Sequence, residues 1–256
     1  MSYYETFSQL HRSSTPFLLG NCWDVNSAKV LEAAGYKAIG FSSHALSTAH
    51  GFEDGEQLPF DLLLRMTQKV TESIKVPFTV DMEGGYSRTI DGILTNIDKL
   101  HDAGVVGINL EDTIPGQNRE FQKTDDFKKI ISAVANHLSR HNRDLFLNIR
   151  TDAFLLDIPI ALAETLTRIK AYENAGASGI FVPCITDRHD IEQVVNATAL
   201  PINVMCVPGL PEFEVLDLLG VKRISMGPFL FNKVYTDAAT LARKVSAEKN
   251  LSPLLS

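Results

Sequence analysis

ENAGASGIFV, residues 173–182, joins an apolar helix end to a glycine and then to a β-rich run. Gly176 reads as the residue just past the helix, where a left-handed backbone stops the turn and sends the chain into a strand. The same phrase returns as EAAGYKAIGF (32–41), HDAGVVGINL (101–110) and DLLGVKRISM (217–226), with glycines at 35, 104 and 220. Any α/β protein contains one such phrase. Four of them, at multiples of a βα unit, indicate a repeated architecture.

Outward from these anchors, short continuously apolar runs predict strands at about 16–22, 37–42, 77–82, 106–111, 144–150, 179–183, 201–206 and 222–226. Continuous rather than alternating apolar character fits parallel strands covered by helices. Helical spacing fills the gaps: Leu62, Leu63, Met66, Val70 and Ile74 form one stripe, and Ile158, Leu162, Leu166, Ile169 and Ala171 another. The expected class is α/β, a (β/α)8 TIM barrel. A doubly wound open sheet needs a glycine-rich phosphate turn after the first strand, and NCWDVNSAK (21–29) has no GxGxxG. No Pro-, Gly- or Ser-rich linker divides the chain, so residues 1–256 read as one domain.

Composition narrows the function. The chain is 45% apolar and 21% charged with a net charge of −7, an ordinary globular balance without a Lys/Arg run, so nucleic acid is not the expected partner. No stretch of 18 apolar residues predicts a membrane span, and MSYYETFSQLHRSS lacks a signal-peptide pattern. Cys22, Cys184 and Cys206 form no CxxC, which fits a reducing, cytoplasmic setting; Cys184 and Cys206 read as buried small apolar residues.

In a barrel, chemistry belongs at the strand C-termini. Asp81 and Glu83 end the third predicted strand and Glu111 the fourth. Residues i and i+2 of a strand point to one side, so all three carboxylates can face the mouth. Clustered acids repel unless they share a proton or a cation, and oxygen-only ligands select a hard ion, Mg2+ or Mn2+. The plainer reading has these acids capping helices or pairing with Lys and Arg. Arg150 ends an apolar strand, where its fork suits a carboxylate or a developing oxyanion; the alternative is a structural pair with Glu111 or Asp152. Ser42, Ser43 and His44 follow the second strand and could cradle an anion. The polar stretches 44–58 and 113–123 read as gating loops or as ordinary surface loops. Thr186-Asp187 reads as a helix N-cap.

These strand ends resemble the isocitrate lyase/phosphoenolpyruvate mutase superfamily. The resemblance runs in order from NCWDVNSAKVLEAAGYKAIGFSS through PFTVDMEGGYS, GVVGINLEDT and NIRTDAFLL to LGVKRISMG, about residues 15–230. It implies a (β/α)8 barrel, homo-oligomeric as a dimer or tetramer and often exchanging its last helix between subunits. It implies Mg2+ and small carboxylate substrates, 2-oxo or 2-hydroxy acids cleaved or rearranged at C–C or C–P through an enolate. Matched by motif, Asp81 would contact the metal, with Glu83 and Glu111 holding it through waters. Asp54 in GFEDG matches a loop aspartate facing the site, and Ser42, Ser43 and His44 the segment that holds the substrate carboxylate. Arg150 matches the arginine on the enolate oxygen, and Asn118 falls in the gate.

Two departures bear on the reaction. The KKCGH loop of isocitrate and methylisocitrate lyases is replaced by DTIPGQNRE (112–120), which has no cysteine, and the sixth strand ends in FVPC around Pro183 where those lyases carry a glutamate. The expected activity is a Mg2+-dependent lyase or decarboxylase cleaving a C–C bond of a small 2-oxo or 2-hydroxy di- or tricarboxylate. The alternatives are phosphonopyruvate mutase or hydrolase chemistry and a non-catalytic 2-oxo-acid-binding barrel. Candidate catalytic residues are Arg150, Asp54 and His44, and Tyr86 or a residue near Asn118 could also donate the proton.

Overall fold

Parallel strands close on themselves in the computed structural model, which describes residues 1–116 and 119–255. In chain order the strands are β1 (Phe17–Cys22), β2 (Ile39–Phe41), β3 (Phe78–Asp81), β4 (Gly107–Glu111), β5 (Thr113–Ile114), β6 (Glu120–Phe121), β7 (Phe146–Arg150), β8 (Gly179–Phe181), β9 (Ile202–Met205) and β10 (Arg223–Ser225). The barrel order is β1-β10-β9-β8-β7-β4-β3-β2, and β5 and β6 form a separate antiparallel hairpin above it. All eight barrel strands fall within the apolar runs. The helices are α1 (Tyr3–His11), α2 (Val25–Ala33), α3 (Ser43–Ala49), α4 (Phe60–Thr71), α5 (Ile90–Asp102), α6 (Thr124–Arg140), α7 (Ala161–Ala175), α8 (Arg188–Asn196), α9 (Phe213–Leu218) and α10 (Phe229–Glu248). Gly35, Gly104, Gly176 and Gly220 take φ of 91°, 88°, 103° and 88°, the left-handed conformation their phrase demands.

Several expectations change. The stripe of 158–175 is only part of the face α7 buries: Ile169 is fully buried and Leu162, Leu166 and Ala171 pack partly covered against the core, but Thr165, Arg168 and Tyr172 also turn inward. The reason is polar, because Arg168 and Tyr172 reach a buried carboxylate, Asp112. The stretch 44–58 begins as helix α3, and 113–123 contains the β5–β6 hairpin, so neither is a plain loop. Cys206 is exposed and Cys184 half-buried at φ 63°, because both lie past their strand ends at the open rim; Cys22 is buried. Asn118 lies outside the described residues.

Helix α1, unremarked in the sequence, closes the N-terminal end of the barrel. Phe7 is fully buried against Phe17, Val106 and Phe146, and Gly107 makes room for it, since a Cβ there would stand 2.9 Å from its ring. His11 stacks on Phe146 at 4.0 Å between ring centroids, and its Nδ1 donates to the Phe7 carbonyl at 2.9 Å. Burial, aided by the charge of Arg223, pushes its pKa down to about 3. The unfolded chain takes up this proton near pH 6.5 and the folded chain does not, so stability falls as pH drops through that window. Between pH 7 and 5 the wild type should lose roughly 2 kcal/mol more than His11→Phe, at about 1.4 kcal/mol per pH unit below 6.5. Urea unfolding at both pH values checks this, and parallel losses in the two proteins would refute it.

At the other end of the chain, Phe231 packs on Trp23 at 5.2 Å between centroids. Beyond it α10 stands almost wholly exposed, with Val234, Tyr235 and Leu241 uncovered.

Candidate active site

Asp81, Glu111 and Arg150 are the last residues of three adjacent barrel strands, and Glu111 pairs in register with Arg150. The guanidinium of Arg150 gathers the acids. Its Nε and Nη2 fork onto Asp152 at 2.6 and 3.1 Å, while Nη1 lies 3.1 Å from Glu111 and 3.9 Å from Asp81. The structural pairing considered for Arg150 therefore exists with both Glu111 and Asp152, and the side chain still lines the cavity at the mouth.

Glu83 arrives by a different route from strand alternation. β3 ends at Asp81, and Glu83 sits beyond it at φ 49°, so a left-handed turn and not a pleat carries the carboxylate inward. It is fully buried, accepts from the Glu56 N–H at 3.0 Å and from the Tyr86 hydroxyl at 3.3 Å, and its own N–H lies 3.5 Å from Asp81. Ser43 donates to Asp81 Oδ2 at 3.0 Å. The Ser42 hydroxyl caps α3, accepting from the Ala45 N–H at 3.3 Å. His44 is exposed at the cavity rim. Asp54 is half-buried there with Oδ1 unpartnered. Asp24, at the end of β1, is spent on capping α2 through Ser27.

Two features escaped the sequence. Arg119, from the β5–β6 hairpin, brings a second guanidinium: its Nη1 lies 2.9 Å from Asp152 and 3.0 Å from Glu111, and its Nη2 3.6 Å from Asp54. A lone arginine in a polar loop beside an acidic rim was the available signal. Behind the rim, Asp112 accepts from Arg168 at 3.1 Å, from the Tyr172 hydroxyl at 2.8 Å and from the Asp152 N–H at 3.1 Å. That network fixes the backbone from which Asp152 meets Arg150, and Arg168 with Tyr172, one helical turn apart, was its signature.

The electrostatics show too little positive charge for the acids present. Burial, then the negative charges of Asp54, Asp81 and Glu111, push Glu83 up to about 9. Glu111 rises to about 7 through burial despite Arg150. Asp81 also rises, again through burial against the pull of Arg150. Asp152 alone is lowered: burial opposes, but Arg150 and Arg119 outweigh it. Among the described residues, no three His, Cys, Asp or Glu converge closely enough to cage a metal ion directly. The donor set does fit a hard cation bound by one carboxylate and reached by the others through water. The acids are hard oxygen donors, with Asp81, Glu83 and Glu111 held above their ordinary pKa chiefly by burial, and Asp54 Oδ1 is buried without a partner.

The cavity at this mouth measures about 180 Å3, with Ser43, His44, Asp54, Asp81, Arg119 and Arg150 in its upper wall. A larger one of about 560 Å3 opens beside α1 at the opposite end; no acid lines it, and that end of a barrel serves stability.

Relatives match this chain in sequence, and solved structures share its fold. An uncharacterized protein of Mycobacterium tuberculosis is 32% identical over 248 residues, 96% of this chain and 91% of that one. An oxaloacetate decarboxylase of Paraburkholderia xenovorans is 26% identical over 202 residues, 76% of this chain and 64% of that one. A crystal structure from Burkholderia cenocepacia J2315 superposes with a TM-score of 0.89 at 35% identity, covering 94% of this chain and 99% of that one. Phosphonopyruvate hydrolase in complex with oxalate and Mg2+ shares the fold, with a TM-score of 0.87 at 21% identity over 98% of this chain and 89% of that one. The sequence model of phosphoenolpyruvate phosphomutase matches residues 7–246, a span that holds every barrel strand and every rim residue described above. A closed eight-stranded barrel with this acidic rim, matched over nearly its whole length, makes the chain a member of the phosphoenolpyruvate phosphomutase family, among the lyases and mutases of the isocitrate lyase/phosphoenolpyruvate mutase superfamily.

Proposed function

We propose that this protein is a Mg2+-dependent lyase that cleaves a C–C bond of a small 2-oxo or 2-hydroxy acid carrying further carboxylates, through an enolate of the pyruvate type. The observation that carries this reading is the gathering of Asp81 and Glu111 around Arg150 at the strand C-termini, with Glu83 beside Asp81. Asp81 would hold the metal directly, with Glu83 and Glu111 reaching it through water. When bound, the ion supplies Lewis-acid polarisation of the substrate's 2-oxygen and carboxylate.

The chain's own groups do the rest. Arg150 Nη1, held between Asp81 and Glu111, presents a fixed positive charge where the oxyanion develops. At the start of α3, the Ser42 hydroxyl and the Ser43 and His44 N–H groups are offered to the substrate carboxylate. Arg119 screens Glu111 and Asp54 from the hairpin side and closes the mouth over bound substrate. The Tyr86 hydroxyl is committed to Glu83; His44 at the rim is the proton donor in this reading, with Asp54 beside the same cavity. The exposed face of α10 is assigned to a neighbouring subunit in a homo-oligomer.

Oxaloacetate, citramalate-type acids and phosphonopyruvate, assayed for pyruvate and phosphoenolpyruvate with and without EDTA, test the reading. EDTA-sensitive pyruvate release from a carboxylic acid supports it. Pyruvate or phosphoenolpyruvate formed from phosphonopyruvate alone moves the assignment to C–P chemistry. Saturable binding without product marks a non-catalytic barrel.

A further inference from the structure

Below the acidic rim lies a buried charge that the proposed chemistry does not use. Arg223 opens β10, is 1% exposed, and lines the floor of the same cavity together with Asn109. Among the described residues its guanidinium has only weak company: Asn109 Oδ1 at 3.5 Å from Nη2, and the Phe7 ring at 5.9 Å. It makes no ion pair, and its Nε has no partner. Asn203, paired in register with Arg223 and therefore facing the same way, is 1% exposed with both amide atoms unpartnered. Asn109 Oδ1 is fixed by the Asn148 amide at 2.8 Å, which leaves its Nδ2 as a donor. Burying a cation without a counter-ion is costly, and apolar residues of similar volume would serve the fold at least as well.

We propose that Arg223 and Asn109 form a carboxylate subsite on the cavity floor, so that the substrate is a diacid lying along the barrel axis with its second carboxylate pointing down. The inference rests on the reading that Asp81 and Arg150 take the 2-oxygen end. Asn109 pairs in register with Asp81 and stands two residues below Glu111 on β4, while Arg223 opens β10 at its N-terminal end. The carboxyl carbons of a four- or five-carbon diacid are separated by roughly 4–5 Å, given C–C bonds of ~1.5 Å. The cavity of about 180 Å3 admits a ligand of that size. Burial pushes the Arg223 pKa down to about 9, against the pull of Asp81, so the group is still cationic at neutral pH.

Calorimetry on the magnesium-loaded protein with oxalate, lactate and malate tests the subsite, because only malate carries a carboxylate that reaches the floor. Arg223→Met should weaken malate tenfold or more and leave oxalate and lactate within twofold. Its melting temperature should equal or exceed that of the wild type, since an unpaired buried charge is removed. Unchanged malate affinity alongside intact oxalate binding overturns the subsite alone. A wild type that fails to bind oxalate overturns the reading of the upper site, and the floor subsite with it. A steep drop in melting temperature on Arg223→Met would show a structural role and also overturn the inference.

Discussion

Asp81→Ala should abolish the rise in melting temperature that Mg2+ confers and lower kcat by roughly a thousandfold or more, the scale on which loss of transition-state charge stabilisation acts. The geometry sets this residue apart from its neighbours. Glu83 is tied to the Glu56 N–H and the Tyr86 hydroxyl, and Glu111 is held by two guanidiniums and stands near the Thr113 hydroxyl. Asp81 has Ser43 close by and Arg150 only at 3.9 Å, so it is the acid freest to meet an ion. Glu83→Gln should therefore cost less, about 10–100-fold in metal affinity, as befits a group that orients the ion's surroundings. Titrating Mg2+ against both variants by thermal shift and initial rate checks the order. An Asp81→Ala protein with wild-type Mg2+ affinity would remove the metal assignment.

The second large effect lies behind the rim. Asp112→Ala should destabilise the fold by about 2–4 kcal/mol, because it takes the buried carboxylate from the Arg168 guanidinium, 4% exposed, and leaves it the partly exposed Glu164 as ion-pair partner. The same change frees the Asp152 N–H and the Tyr172 hydroxyl, so activity should fall along with stability. Adding Arg168→Met to Asp112→Ala should restore part of the lost stability, since the buried cation that lost its Asp112 partner then disappears. Urea unfolding of the two single variants and the double variant measures the coupling. Strictly additive losses would show that the pair does not act as a unit.

The fold was legible because its signals were local. A glycine in the left-handed region after each of four helices, followed by a short apolar run, fixes a βα junction wherever it occurs. The acids at the ends of β3 and β4 were legible for the same reason. What stayed hidden was set by contacts distant in sequence. The polar part of the inward face of α7 could not be told from its leucines, because the partner that turns Arg168 and Tyr172 inward lies at Asp112, 56 positions from Arg168. Arg119 looked like any loop cation until the β5–β6 hairpin folded it over the mouth. Arg223 stood inside KRISM, where one arginine at a strand start reads as a surface residue; the closed barrel placed it on the axis. α1 carried an apolar face too short to announce what it would cover.

That small helix makes the barrel a cul-de-sac. With Phe7 and His11 packed across the bottom, whatever the proposed reaction forms beside Arg150 would leave by the doorway the reactant used. Spent molecules and newcomers therefore contend for one corridor, and accumulating product should slow turnover in a way that more substrate reverses.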